Sequence, residues 1–146
     1  MLLKKNIFLL ICFFYFQVSW ANTFLTPYGD KIKLRLAITP ETQTRGLSVL
    51  RDHEFQDNEG MLFVYDKSGP RRFWMPDTYF NLDIYFLDSN YKILAVEKNV
   101  PHHPGRQEPP AIYQTKTYEA QHVLELKSSS KISKKLKKGN QLKLIP

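Results

Sequence analysis

Asp77 and Asp83 are the residues of this chain whose type and spacing most invite chemistry. Two carboxyls six residues apart across a turn can converge on one bond, and glycoside hydrolysis needs such a flanking pair. Arg45 could fork across to either carboxylate, because its planar donors grip a carboxylate bidentately where a lysine cannot. Trp74, with Phe73, Tyr79, Phe80 and Tyr85, could make an aromatic platform for a sugar or a peptide. Arg45, Trp74, Asp77, Thr78 and Asp83 therefore define a candidate ligand pocket, with Asp77 and Asp83 as its candidate catalytic acids. A structural account competes at each position. Asp77 follows Pro76 and suits an Asx turn or a cap, Asp83 could pair with Arg45 or Arg72, and aromatics at strand spacing commonly form core.

His102 and His103 invite a metal, and Glu108 and His122 could complete the set. Adjacent side chains on an extended segment point in opposite directions, so both rarely reach one ion. No spaced His or Cys motif supports such a site, and no metal or cofactor is expected. Nucleophilic chemistry finds no foothold either, since no serine sits in a Gly-x-Ser-x-Gly elbow.

The stretch from Gly60 to Asp88 must position these groups. Its apolar runs Met61–Tyr65, Phe73–Met75 and Leu82–Leu87, punctuated by Gly69-Pro70, Pro76-Asp77 and Asn81, predict three strands. Before it, Ile32, Leu34, Leu36 and Ile38 alternate with polar residues and predict a half-buried strand. Thr39-Pro40-Glu41 then reads as a helix start, and Gly46 as its end. This puts Arg45 in the last turn, where its charge complements the helix dipole.

After the central stretch, Asp88-Ser89-Asn90 predicts a hairpin to a strand over Tyr91–Glu97. Asn99–Lys116 has four prolines and reads as a long loop, a length that is often functional. Glu119–Leu126 alternates again, with His122, Leu124 and Leu126 on one face. A short helix over Lys131–Lys138 and a last strand over Gln141–Ile145 follow. The pattern predicts a single β-rich α+β domain: a partly closed, barrel-like, mainly antiparallel sheet with two short helices.

The first 21 residues stand apart. Lys4 and Lys5 precede an apolar run from Ile7 to Phe16, and Ser19-Trp20-Ala21 follows, which is the pattern of a cleaved secretory signal. The run stops short of the roughly 20 apolar residues that a membrane anchor needs. Export to the periplasm or the exterior is expected, with residues 22–146 as the mature domain. Cleavage removes Cys12, the only cysteine, and with it any disulfide. It also removes two lysines, taking the formal charge from +7 to +5. The excess lies between Lys127 and Lys143, where a solvated face or weak adhesion to anionic surfaces is expected. Nucleic acid is not an expected partner, because basic and aromatic residues do not interleave.

Arg45-Gly46-Leu47, Gly60-Met61-Leu62-Phe63, Phe73-Trp74-Met75 with Thr78, Leu82-Asp83-Ile84 and Val123-Leu124-Glu125-Leu126 occur in this order along the chain. Together they resemble the signature of the DUF192 (UPF0127) family from about Ile32 to Ile145. The resemblance implies a compact, β-rich and commonly exported domain, and no particular reaction. Members usually carry an asparagine before the threonine, where this chain has Asp77, which lacks the amide's donors. The closing turn is Gly139-Asn140 rather than Gly-Asp, and the cysteines that many members carry in the histidine loop are absent here.

Two functional readings follow. One is a non-catalytic accessory domain of the cell envelope that binds a small molecule, a glycan or a protein. The other is a small hydrolase acting on an envelope polymer through Asp77 and Asp83. The lack of a recognisable nucleophile, base and oxyanion arrangement favours the first.

Overall fold

The computed structural model describes residues 22–146, so the expected signal peptide lies outside the described residues. Strands β1 (Thr23–Leu25) and β2 (Lys31–Ala37) lead into helix α1 (Pro40–Arg45). Strands β3 (Glu59–Arg71), β4 (Leu82–Leu87), β5 (Ile93–Val100) and β6 (Tyr118–Lys127) build the centre. Helix α2 (Lys131–Lys135) and strand β7 (Lys143–Ile145) complete the chain. The seven strands form one sheet in the order β5-β4-β6-β3-β2-β1-β7. Only β2 and β3 run parallel; the other neighbours are antiparallel.

The sheet curls into a half-barrel because its two edge regions meet. Ile93 N–H donates to Asn140 O at 2.9 Å, Gly139 N–H to Ile93 O at 2.8 Å, and Leu142 N–H to Tyr91 O at 3.1 Å. These bonds satisfy edge groups that would otherwise face water or another chain. The concave side is filled by Phe24, Ile32, Leu34, Leu62, Tyr85 and Leu124, among others. Gly60 belongs here, since a Cβ would lie 2.8 Å from Leu124 Cδ1 and 2.9 Å from Leu126 Cδ2.

The convex side carries a second apolar cluster. Phe63, Ile84, Phe86 and Val123 project from the sheet, and Leu47, Phe55, Met75 and Ile112 cover them from the connecting segments. The sheet is therefore buried on both faces at its centre, and every residue of β4 is buried.

The long loop is part of this cover. Tyr113 O accepts from Met75 N–H at 3.2 Å, His103 O from Thr78 N–H at 3.0 Å, and Gly105 O from Asp77 N–H at 2.9 Å. These contacts correct one expectation. Phe73–Met75 is not a strand of the sheet; it makes a single bridge, Trp74 to Gln114, with the long loop. A second correction concerns Tyr91, which has a positive φ of 64° and belongs to the hairpin turn rather than to a strand.

Candidate functional site

The convex cover is incomplete above β6, and the gap is a cleft. Successive strand residues face opposite sides, so Leu124 and Leu126 point into the barrel while Glu125 points to the convex face. Met61 and Ile84 flank Glu125 on the neighbouring strands. Glu125 is only 4% exposed. Burial pushes its carboxyl up to about 8, with no hydrogen bond or charge offsetting the effect.

The roof begins at α1. Thr39 caps the helix through a box with Thr42, Pro40 starts it, and Gly46 ends it at a φ of +49°. A Cβ on Gly46 would lie 3.1 Å from the Phe63 ring, so glycine lets the chain drop onto the sheet at this point. Arg45 is thereby left exposed at the mouth. The opposite wall is the segment from Arg72 to Thr78. The cleft has a volume of about 280 Å³ and is lined by Arg45, Tyr65, Arg72, Trp74, Arg106 and Glu125, among others. Arg45 also borders two neighbouring depressions, one shared with Leu36 and Met61 and the other with Asp77 and Arg106.

Charge at the mouth is largely uncompensated. Among the described residues, neither Arg45 nor Arg72 takes part in an ion pair, whereas Arg106 pairs with Asp77. Trp74 is 49% exposed and presents a free aromatic surface. Tyr65 lies beneath the Arg71 guanidinium, 3.7 Å from the ring centroid. Burial raises its hydroxyl above the ordinary phenol range, Arg71 lowers it, and Glu125 adds a further upward push.

The structure separates residues that sequence reasoning grouped. Arg45, Trp74 and Thr78 line the cleft, and Asp77 stands beside it with Arg45. The Thr78 hydroxyl is already engaged, donating to Met75 O at 2.9 Å and accepting from His103 N–H at 3.0 Å. It holds the loop in place. Asp83 lies elsewhere. It projects from the opposite face of β4, where Lys98 Nζ reaches it at 2.9 Å and Ser133 Oγ at 2.6 Å. The expected fork from Arg45 to Asp83 is therefore corrected to a Lys98 pair. The cause is strand alternation, since Leu82 and Ile84 take the convex side. Asp77 and Asp83 border separate depressions and do not flank a common bond.

The histidines are likewise dispersed. His102 Nδ1 meets Asn81 Oδ1 at 2.7 Å. His103 lies between the carbonyls of Gly105 and Pro110, each at 3.0 Å. His122 packs on Tyr91 with ring centroids 5.1 Å apart. Among the described residues no three His, Cys, Asp or Glu side chains are gathered for a metal ion.

Glu125, Tyr65, Arg72 and Arg106 complete the cleft and were not among the expected site residues. Glu125 did carry a signal: a carboxyl inside the apolar run Val123–Leu126, on the strand face opposite His122, Leu124 and Leu126.

A curled, mixed seven-stranded sheet with a cleft under its first helix defines a small β-rich α+β domain. The chain belongs to the DUF192 family (Uncharacterized ACR), whose profile matches residues 23–144. No curated protein matches it with significance. Among solved structures it is similar to a protein of Sinorhizobium meliloti 1021 described as a candidate transcription regulator. That likeness has 27% identity, covers 87% of this chain and 96% of the other, and has a TM-score of 0.66. A protein of unknown function from Novosphingobium aromaticivorans DSM 12444 shares the fold at 24% identity. It covers 84% of this chain and 82% of its own, with a TM-score of 0.64.

Proposed function

We propose that the protein is an exported, non-catalytic accessory domain of the cell envelope that holds a small anionic ligand in the cleft beneath Arg45. The observation that carries this reading is an exposed arginine with no ion-pair partner among the described residues, set at the mouth of an open cleft. Arg72, also without an ion-pair partner among the described residues, adds a second cation there. An arginine already spent on a structural carboxylate would have little left for a ligand. The hydrolytic alternative needs two carboxyls on one bond, and Asp77 and Asp83 border different depressions.

Export rests on the leader pattern in residues 1–21. No described helix is long and apolar enough to cross a membrane. Protein recovered outside the cytoplasm is expected to begin at Asn22 on N-terminal sequencing. A chain starting at Met1 in the membrane fraction would make it a tethered protein instead. Exposed Lys131, Lys134, Lys135, Lys138 and Lys143 favour weak adhesion to anionic surfaces. Duplex DNA is not proposed as a partner. Transcription regulation is ascribed to the Sinorhizobium protein alone. The two helices described here have six and five residues, short for reading a major groove.

Arg45→Ala tests the cleft. The side chain is exposed, so its loss is expected to change stability by no more than about 0.5 kcal/mol. Binding of small carboxylates and phosphates, followed by amide chemical shifts around Trp74, is expected to weaken at least tenfold. A variant that binds these anions as well as the parent, or that fails to fold, overturns the assignment of Arg45.

A further inference from the structure

The fold supplies partners for its other buried carboxyls. Glu59 is held by Arg35 at 3.2 Å and by Gln56 N–H at 2.8 Å. Asp83 receives Lys98, Ser133 Oγ and Asn99 N–H. Glu125 is as buried as they are, yet among the described residues no side chain or backbone group meets its carboxyl. It lines the cleft instead. Its oxygens are not sealed in, since the fully enclosed unpartnered side-chain atoms among the described residues are Arg35 Nε and His122 Nδ1. They open onto the cleft, and polar groups at such depth are nearly always hydrogen-bonded, so their partner is one that the chain does not provide.

The walls describe that partner. Arg45 and Arg72 at the mouth favour an anionic group. The exposed Trp74 ring offers an apolar face to a flat, C–H-bearing surface. At the floor, a protonated carboxyl presents one O–H donor, which an ionised one lacks. A volume of about 280 Å³ lies just below the range of drug-sized pockets, roughly 300–1,000 Å³, and so suits a single small ring.

We propose that the cleft takes a monomeric sugar acid, its carboxylate on Arg45 and Arg72, one face on Trp74, and a hydroxyl or ring oxygen accepting the Glu125 proton. This rests on the anion-binding reading of Arg45 and extends it to the floor. The charged and titratable groups facing Glu125 are Tyr65 from β3, Arg45 from the end of α1, Arg72 from the facing segment and Arg106 from the long loop. The neighbouring strands contribute Met61 and Ile84. Lys127, two residues along β6, is taken by Asp52 at 2.9 Å. Glu125 is the group in this set that changes charge between pH 7 and 9, its carboxyl being raised to about 8 and Tyr65 raised above the ordinary phenol range.

The test is calorimetric titration of the mature protein with D-glucuronate, D-glucose and inorganic phosphate at pH 7 and pH 9. Glucuronate is expected to bind about tenfold more weakly at pH 9, where roughly a tenth of the Glu125 carboxyls still hold the proton. Glu125→Gln keeps a donor and is expected to bind equally at both pH values. Glu125→Leu is expected to lose at least tenfold in affinity at pH 7. Without ligand, the Glu125 carboxyl carbon is expected to titrate by NMR with a midpoint about 8.

Glucuronate binding that Arg45→Ala weakens, but that ignores both pH and Glu125→Leu, overturns the role of Glu125 and leaves the Arg45 reading standing. Phosphate binding without glucuronate binding overturns the sugar-acid assignment alone. Equal affinity for glucose and glucuronate, or no binding of any of the three, overturns both readings.

Discussion

Asp83→Ala is expected to destabilise the protein by about 2–4 kcal/mol at pH 7, one of the largest losses among its polar side chains. Asp83 ties three segments together. Its Oδ1 accepts from Asn99 N–H at 2.7 Å, and its Oδ2 accepts from Ser133 Oγ at 2.6 Å and Lys98 Nζ at 2.9 Å. Tyr85 completes the knot by donating to Ser133 O at 2.8 Å. Burial, the largest influence on Tyr85, pushes its hydroxyl far above the ordinary phenol range, so it stays a donor. Removing the carboxylate ends three hydrogen bonds to a charged acceptor, each worth roughly 1.5–3 kcal/mol at most. Ser133 Oγ keeps the Tyr85 hydroxyl at 2.7 Å, while the part-buried Asn99 N–H loses its acceptor. Lys98 limits the damage. Its side chain is 43% exposed and its charge can return to water, which keeps the loss below that of a fully buried pair. Asp83→Asn keeps an acceptor and should lose less than the alanine variant. Urea denaturation of both variants checks this, and a loss under about 1 kcal/mol for Asp83→Ala would show that α2 is held to β4 by apolar packing alone.

That Asp83 belongs to this knot, and not to the cleft, marks the limit of what the sequence could say. The alternation of Ile32 and Leu34 located β2, and Thr39-Pro40 with Gly46 bounded α1, because a solvated face and a capped terminus each leave a local compositional trace. β4 leaves no such trace. It is buried on both faces, so nothing in Leu82–Leu87 reveals which side of the sheet Asp83 joins. Phe73–Met75 looked like a strand for a related reason: its apolar side chains pack on the convex cluster while its backbone pairs with the long loop. The cleft was legible in part. Arg45 could be read as a helix-end cation and Trp74 as an aromatic surface, both local inferences. Glu125, some eighty residues beyond Arg45 in the chain, reaches the same cavity only through the order in which β3, β6 and β4 pair.

Glu125→Gln is expected to stabilise the protein, by an amount that grows with pH. In the folded state the carboxyl is raised to about 8 from an ordinary value of 4.5. The folded chain therefore holds a proton that the unfolded chain releases between these two pH values. The contribution of this group to stability is complete below about pH 4.5, declines as pH rises, and is lost once pH passes about 8. Glutamine does not titrate and keeps nearly the same shape, so the variant escapes the decline. The gain is expected to be under about 1 kcal/mol at pH 5, on the order of 3 at pH 7, and near 5 at pH 9. Other titrating groups are common to both proteins and cancel in the difference, which paired denaturation curves at the three pH values measure. A carboxyl that lowers stability at neutral pH, at the floor of a cleft and without a hydrogen-bond partner among the described residues, is the pattern expected where a binding site is kept at the expense of the fold. A difference that stays flat from pH 5 to pH 9 would mean that Glu125 finds compensation inside the protein, and the floor of the cleft would then have no proton to offer a ligand.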